Sequence, residues 1–292
     1  PDEVLSQLTA DMRKYYNTST TKLFRETFAD LNDYWNSLPY QPNTSAQLSN
    51  NEKSGYTKHR YPQYIDHNTV LSLCETLDRP NAFVATNSKN GESQHLAYTG
   101  VISTRPSEIV GGRVWWTEYR RSVMFQQKVR STLCYIDFDK NRPRTAYMQG
   151  RNILYPTPDD EGGLAWIEYQ SNGIYSFHHR LCDGNERAFS LPFGEEIHSL
   201  AWDNTTRSHY CIITSDEGMH IAKIDRSYNL TPLTRPAYIT LSKLRAEDGI
   251  LYFGSIASGK DEVHCYDLRT DTQYRISAST YGSFSPMPTE GE

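Results

Sequence analysis

The sequence predicts an all-β fold of repeated four-stranded units behind a short helical segment. The stretch GGRVWWTEY at residues 111–119 has a close copy, GGLAWIEY, at residues 162–169, and in both two glycines precede an aromatic strand. Fainter copies of this strand recur along the chain. Their equivalent residues lie 42 to 50 positions apart, at Leu71, Trp116, Trp166, Tyr210 and Tyr252. Four short strands in every ~40 to 50 residues is the period of a β-propeller blade.

The other strands of each unit repeat as well. After the marked strand come a turn and a second strand, such as LCYIDFD or VHCYDL, and each following unit opens with a Pro- or Ser-bearing strand. The repeats predict five blades and the start of a sixth: 56–100, 101–150, 151–195, 196–236, 237–280 and 281–292. Because an open sheet edge is a liability, a propeller closes its last blade against its first. Either the propeller therefore continues beyond residue 292, or its last strand completes the first blade.

The first 40 residues have a different pattern, which predicts two helices. Asp2 is a suitable N-cap, and apolar residues follow at helical spacing up to Tyr16. A second helix carries one apolar face, formed by Phe24, Phe28, Leu31, Trp35 and Leu38. We expect this face to pack on the following domain or on a preceding one. Residues 41–55, rich in Asn, Ser, Gln and Pro without periodicity, are predicted to be a linker to the propeller at 56–292.

The composition excludes several classes of function. A net charge of −5 gives no electrostatic reason to expect nucleic acid as a partner. No stretch has the ~18 to 20 consecutive apolar residues that a membrane-spanning helix needs. The five cysteines are scattered without a CxxC pair, which argues against a zinc site or a disulfide framework. We expect no cofactor and no metal.

The blade-opening motifs carry a resemblance to a known family. PTPDDEGGLAWIEY at residues 156–169, and SFSPMP at 283–288, resemble the start of blades in TolB-like, or WD40-like, propellers of tricorn type. The resemblance covers roughly residues 56–292. It implies a propeller module of a larger secreted bacterial protein, and hence a periplasmic, secreted or cell-surface location. The WD dipeptide of true WD40 repeats does not recur.

Motifs of catalysis are missing from the sequence. There is no GxSxG, HExxH, P-loop or GxGxxG, so we lean towards a chain without enzymatic activity. DFDKN at 137–141 begins like a calcium loop but lacks the required Gly and Glu. Glu118 and Glu168 occupy equivalent places in two blades, and paired carboxylates could serve a glycosidase. We expect them instead to lie on second strands, away from the central channel.

Ligands of propellers usually bind at the mouth of the channel or on one rim. The residues before the repeated proline position of the opening strands are Tyr61, Arg105, Tyr155, His198 and, in blade five, Leu241. With Arg60 and Glu108 they form the predicted channel mouth. An Arg-Tyr-His set suits an anionic or peptide-like group, and packing within the inner strands is the alternative.

The leading hypothesis is a non-catalytic binding or scaffold module that contacts a peptide, protein or glycan partner. An accessory propeller of a multidomain hydrolase, which gates or positions substrate for a peptidase-like domain, is the alternative. A carbohydrate-active propeller is a weaker third possibility. The sequence leaves the oligomeric state open.

Overall fold

The computed structural model describes residues 2–37, 56–125, 127, 129–138, 142–279 and 282–287. The described chain divides into two compact units, one containing the N-terminal helices and the other containing the sheets. The predicted linker at 41–55 lies outside the described residues.

The two predicted N-terminal helices are confirmed as α1 (Asp2–Tyr16) and α2 (Thr20–Ser37). Ser19 caps α2, since its hydroxyl accepts a hydrogen bond from the Lys22 amide at 3.1 Å. The apolar face of α2 is exposed: Phe24 and Phe28 are 65% and 50% accessible, and their ring centroids lie 4.4 Å apart.

The predicted propeller is confirmed as five four-stranded antiparallel blades. Blade one consists of β1 (Thr57–Asp66), β2 (Thr69–Thr76), β3 (Ala82–Asn87) and β4 (Ser93–Tyr98). Blade two consists of β5 (Val101–Ile102), β6 (Arg113–Arg121), β7 (Val129–Asp137) and β8 (Arg142–Arg151). Blade three consists of β9 (Ile153–Pro158), β10 (Leu164–Tyr169), β11 (Tyr175–Arg180) and β12 (Glu186–Ser190). Blade four consists of β13 (Glu196–Asp203), β14 (Ser208–Ser215), β15 (Gly218–Ile224) and β16 (Leu230–Pro232). Blade five consists of β17 (Leu241–Glu247), β18 (Ile250–Ser255), β19 (Glu262–Asp267) and β20 (Thr272–Arg275).

The glycine-aromatic stretch at 111–119 forms the turn before β6 and most of β6 itself. Gly111 and Gly112 have φ of +56° and +68°, a left-handed conformation that glycine adopts without a steric penalty. Alternate side chains of a strand point to opposite faces. Val114 and Trp116 therefore pack against blade one, while Trp115 packs against blade three.

Apolar clusters join each blade to the next one in sequence. They lie between blades one and two, two and three, three and four, and four and five. Among the residues that the structure describes, no such cluster joins blade five to blade one. There the outward face of blade one borders a groove of about 400 Å³, and every residue lining it belongs to blade one.

The described residues form no sixth blade. Within the predicted partial blade at 281–292, the described residues 282–287 form no strand. They do repeat one feature of the inner strands, because Ser285, just before Pro286, has a φ of +54°.

Candidate functional site

The first strand of each blade lines the central channel, and a β-bulge interrupts the ladder of these strands in four blades. In blade one, Tyr61 and Pro62 together lie opposite the single residue Ser72. Blades three, four and five have the same irregularity at Tyr155, His198 and Lys243. In blade two the equivalent pair, Arg105 and Pro106, follows the short strand β5.

Three of these bulges share an unusual backbone conformation. Tyr61, Tyr155 and Lys243 have φ of +54°, +50° and +57°, a left-handed conformation uncommon for residues other than glycine. A bulge redirects the side chain of the extra residue. We call the end where the inner strands begin the amino end of the channel, and the opposite end the carboxyl end.

Arg105 closes the channel between these two ends. Its guanidinium donates hydrogen bonds to the carbonyl oxygens of Leu200 in blade four and Leu244 in blade five. The remaining space has a volume of about 10 Å³ and is bordered by residues of blades two to five, including Arg105, Tyr155 and Arg245. Such a space holds about one water molecule. Burial, and then the charge of Arg245, lower the pKa of Arg105 to about 9, so it still carries a proton at neutral pH.

Arg245 and Glu108 form an ion pair across the channel. The Nη1–Oε1 distance is 2.8 Å, and the Arg245 side chain is 5% accessible against 28% for Glu108. The pair ties blade five to blade two. Removing one partner of a buried ion pair leaves the other charge uncompensated and poorly solvated, which is destabilising. We therefore expect the pair to be retained and to hold the channel closed.

Tyrosines of blades two and three gather at the amino end. Burial raises the pKa of Tyr155 to about 12, and the nearby Tyr175 and Tyr119 act in the same direction. Tyr175 stands beside Tyr169, with ring centroids 5.0 Å apart. Burial raises the pKa of Tyr175 as well, assisted by Glu196 at the start of β13. Tyr119 and Tyr169 are 47% and 41% exposed, so the cluster has an accessible aromatic surface.

Basic side chains lie at the same end, on blades one and five. Burial lowers the pKa of Lys243, and the positive charges of Arg60, Arg105 and Lys58 lower it further, whereas Asp261 opposes the shift. The Lys243 ammonium lies 5.2 Å from the centroid of the Phe284 ring. Such a contact stabilises a cation that has lost part of its hydration.

The structure brings together three of the six residues predicted for the channel mouth, because Arg105, Glu108 and Tyr155 border one space. Tyr61 lies close enough to contribute to the electrostatics of Arg105. The other two are engaged within their own blades. Arg60 pairs with Glu75 at 3.2 Å, and His198 Nε2 lies 3.6 Å from Glu196.

The assignment of Leu241 to this set was wrong, because Lys243 occupies the equivalent bulge in blade five. The proline that marks this position in blades one to three is replaced by Leu244, so the sequence carried no signal for the correct register. Sequence reasoning also missed Arg245. Its only distinguishing feature in the sequence is its position two residues after Lys243.

Glu118 and Glu168 lie on second strands and are held by arginines of blade two. Glu118 is 2% exposed and receives bonds from Arg144 Nε and Nη2 at 2.8 and 2.6 Å and from Trp116 Nε1 at 2.9 Å. Burial alone would raise the pKa of Glu118, but these hydrogen bonds bring it below its usual value. Glu168 accepts a bond from Arg151 at 2.7 Å. Glu118 therefore serves as an ion-pair partner within blade two, and Glu168 as one between blades two and three.

The described residues contain neither a candidate metal cluster nor a membrane-spanning helix. No three His, Cys, Asp or Glu side chains in that part of the chain are grouped to hold a metal ion. None of its helices is long and apolar enough to cross a membrane.

Comparison with solved structures places the chain among β-propellers. Similar folds occur in a nidogen/laminin complex (TM-score 0.54, 13% identity, 76% of this chain and 82% of that chain) and in a Mycobacterium tuberculosis puromycin-hydrolyzing peptidase (0.56, 14%, 80% and 38%). TolB from Acinetobacter baumannii is a third (0.53, 10%, 68% and 49%). The predicted likeness to TolB-like propellers is thus confirmed for the fold.

No protein-family model matches the sequence. A search of curated protein sequences also gives no match. The chain covers 38% of the length of the peptidase and about half of that of TolB.

Proposed function

We propose that the chain is a binding module that holds an acidic segment of a protein, peptide or glycan partner at the amino end of its channel. The observation that carries this proposal is that partly exposed tyrosines of blades two and three and basic side chains of blades one and five lie at the same end of the channel. Tyrosine supplies a rigid surface for stacking together with a polar tip. Lysine and arginine bind carboxylates through charge-assisted hydrogen bonds.

The closed channel defines how such a ligand would bind. Because Arg105 fills the space between the inner strands, a ligand would rest on the amino end and would not pass through. The charge of Arg105 lies just below this surface and would favour an anionic group. Glu196 and Asp261 lie at the edges and would limit the ligand to a defined orientation.

An accessory role beside a hydrolase domain is the alternative function. The specific support for this role is that the fold is similar to 38% of the chain of a puromycin-hydrolyzing peptidase. In that case the module would position a substrate at the amino end, because gating through the channel would require the Arg105 bonds to break. A carbohydrate-active site using Glu118 and Glu168 is not favoured, since arginines neutralise both carboxylates.

The test uses two anionic probes, hexagalacturonate and hexaglutamate, in binding titrations by calorimetry. We expect one or both to bind, and Tyr119→Ala and Lys243→Gln to weaken binding by about five- to twentyfold each, as loss of one of the few contact residues that carry most of the binding energy does. Binding of hexaglutamate alone would favour the accessory peptidase role, and binding of hexagalacturonate alone a glycan partner.

The matched control is Tyr274→Ala on β20, the outermost strand of blade five. Tyr274 is 49% exposed, close to the value for Tyr119, but lies away from the channel. It should leave both affinities unchanged. The proposal would be wrong if neither probe binds, or if Tyr274→Ala weakens binding as much as Tyr119→Ala. The location outside the cytoplasm that the TolB-like resemblance implies stays a prediction, testable by fractionating cells that express the natural gene.

A further inference from the structure

We infer that the hairpin between β6 and β7 docks the protein onto a membrane that carries anionic lipids. The ladder of these two strands ends at the pair Arg121–Val129, and the chain turns beyond it. Three consecutive residues of the turn are apolar and largely exposed: Val123, Met124 and Phe125 are 99%, 84% and 64% accessible. An exposed apolar cluster of this kind, rimmed by polar residues, marks a contact surface for a membrane or a partner.

The hairpin projects from the amino end of the propeller. Val101 at the start of β5 pairs with Tyr119 near the end of β6, so β6 ends where the innermost strand begins. The Phe125 amide donates a hydrogen bond to the Ser122 hydroxyl at 3.2 Å, which orders the first part of the turn. The apolar tip is therefore a defined protrusion at this end of the molecule.

Basic side chains flank the tip on both strands. Arg120 and Arg121 lie at the end of β6, and Arg130 of β7 is directly opposite Arg120. The three arginines line a hollow of about 420 Å³ at the base of the tip, together with hydroxyl and amide side chains and without a carboxylate. Like charges opposite each other in a ladder repel, so an anion beside them is favourable. Guanidinium groups bind phosphates through charge-assisted hydrogen bonds, which suits a lipid phosphodiester.

Acidic residues near the hairpin have arginine partners. The sequence has no acidic residue between Tyr119 and Leu133. Within blade two, Glu118 is already bound by Arg144. In blade one, the acidic residues at the amino end each pair with an arginine: Glu75 with Arg60 and Asp78 with Arg79. The equivalent hairpin of blade three, at residues 170–174, contains no charged residue.

The other acidic side chains of the amino end determine how the protein would lie on the membrane. They occur from the connection before blade four onwards: Glu195, Glu196, Asp216, Glu217, Asp261 and Glu262. An anionic surface would repel this side. The membrane would therefore meet the blade-two side, with the channel tilted away from it and still open to solvent.

The shape of the tip favours a bilayer over a protein as the partner. Three adjacent side chains in a turn point in different directions, so a protein would need a pocket that surrounds them. Lipid head groups and chains adapt to such a protrusion without a preformed pocket. Apolar side chains then enter the interfacial region, and each basic residue close to an anionic leaflet adds to the affinity.

Cosedimentation with lipid vesicles tests the inference. One kind of vesicle consists of phosphatidylcholine alone, and the other of equal parts of phosphatidylcholine and phosphatidylglycerol. We expect about tenfold or more tighter binding to the anionic vesicle, weakening as the salt concentration rises. Phe125→Ser should weaken this binding by about five- to twentyfold, because it removes buried apolar area. Arg121→Gln should weaken it by about fivefold, the effect of one basic residue near the surface.

Two variants elsewhere in the propeller are the matched controls. Phe193→Ser changes a phenylalanine that is 80% exposed in the connection between β12 and β13, at the same end but beside Glu195 and Glu196. Arg187→Gln changes an exposed arginine of β12. We expect neither variant to alter the binding to vesicles.

Three results would overturn the inference. Failure to bind either vesicle would leave a protein partner as the occupant of the tip. Equal binding to both vesicles would contradict the role of the arginines, and equal effects of Phe193→Ser and Phe125→Ser would contradict the role of the hairpin. The inference goes beyond the proposed function and does not rest on it. The titrations with hexaglutamate and hexagalacturonate are a separate measurement, so either proposal can fail while the other stands.

Discussion

The boundaries between blades are of two kinds. Blades that follow each other in sequence meet through apolar clusters built around large buried side chains such as Trp116, Trp166 and Phe253. The boundary between blade five and blade one differs, because the blade-one groove is lined mainly by short or polar side chains, among them His59 and Cys74.

The difference shows how the stability of the propeller is distributed. Burial of apolar area, at roughly 25 cal/mol per Å², is the main force that holds one sheet against the next. Apolar area is buried at four boundaries. Each of them joins two blades that are consecutive in sequence and can pack as soon as both have folded. Blade five and blade one are far apart in sequence and have no apolar cluster between them in the described chain. Among the described residues, the apolar contacts between blades are thus those between neighbours in sequence.

Substitutions at two adjacent residues of β3 should give the largest difference in stability between an apolar boundary and the blade-one groove. Phe83 is 1% exposed and packs edge-on against Trp116 of blade two, with ring centroids 4.9 Å apart. Val84 points to the opposite face and lines the blade-one groove. Phe83→Ala should lower the free energy of unfolding by about 3–5 kcal/mol, because it leaves a cavity in a packed cluster.

Val84→Ala should cost about 1 kcal/mol or less, since its side chain borders open space. Urea unfolding followed by circular dichroism measures both variants. Equal losses would contradict the comparison, because they would mean that the groove face is packed as tightly as the blade one–blade two cluster.

A buried histidine gives the second test, at the boundary of blades three and four. The His209 ring lies 5.2 Å from Phe177 and 4.7 Å from Trp202, and its Nε2 has no hydrogen-bond partner. Burial, and then the charge of His179, lower the pKa of His209 to about 3. The folded protein thus holds a neutral ring, whereas the unfolded chain binds a proton below about pH 6.5.

Stability should fall as the pH drops from about 6.5 towards 3, by ~1.4 kcal/mol for each pH unit from this group. His209→Phe removes the group that titrates. Between pH 7 and pH 4 the variant should lose about 3 kcal/mol less than the natural protein in urea unfolding. Val84→Ala, in the blade-one groove, removes no ionisable group; it is the control and should leave the pH dependence unchanged. An unchanged acid sensitivity in His209→Phe would contradict the prediction.

Much of the fold could be predicted because each blade repeats a local pattern. The glycine turn and aromatic strand at 111–119 identified the blade unit, and the prolines after Tyr61, Arg105 and Tyr155 marked the inner-strand position that the structure shows as a bulge or its equivalent. Blade five lacks that proline, so Lys243 was missed. A local sequence pattern gives no signal at a bulge that forms without a particular residue type such as proline.

The closing of the channel could not be predicted, because it depends on partners that are distant in sequence. Arg105 binds the carbonyl oxygens of residues 95 and 139 positions away, and a backbone oxygen leaves no mark on the sequence. The polar groove of blade one was also unpredictable. Its residues look like ordinary half-exposed strand positions until the structure shows that no apolar cluster covers them.

The smallest effect concerns the reactivity of the cysteines, which tests directly whether the blade-one groove is open. Cys74 lines the groove and is partly exposed, Cys182 is exposed, and Cys134, Cys211 and Cys265 are buried. Burial raises the pKa of Cys134 to about 11, which suppresses the reactive thiolate further. In the folded protein, maleimide should label Cys182 first, Cys74 more slowly, and the other three only after unfolding.

Intact-mass measurement over time at neutral pH follows the labelling, and Cys182→Ser leaves Cys74 as the single reactive thiol of the folded state. One label on this variant before denaturation is the expected result. No label until urea is added would mean that blade five covers the groove in solution. The boundary between blades five and one would then be closed by polar contacts. It would differ from the other four boundaries in the polarity of its side chains, while being packed as closely as they are.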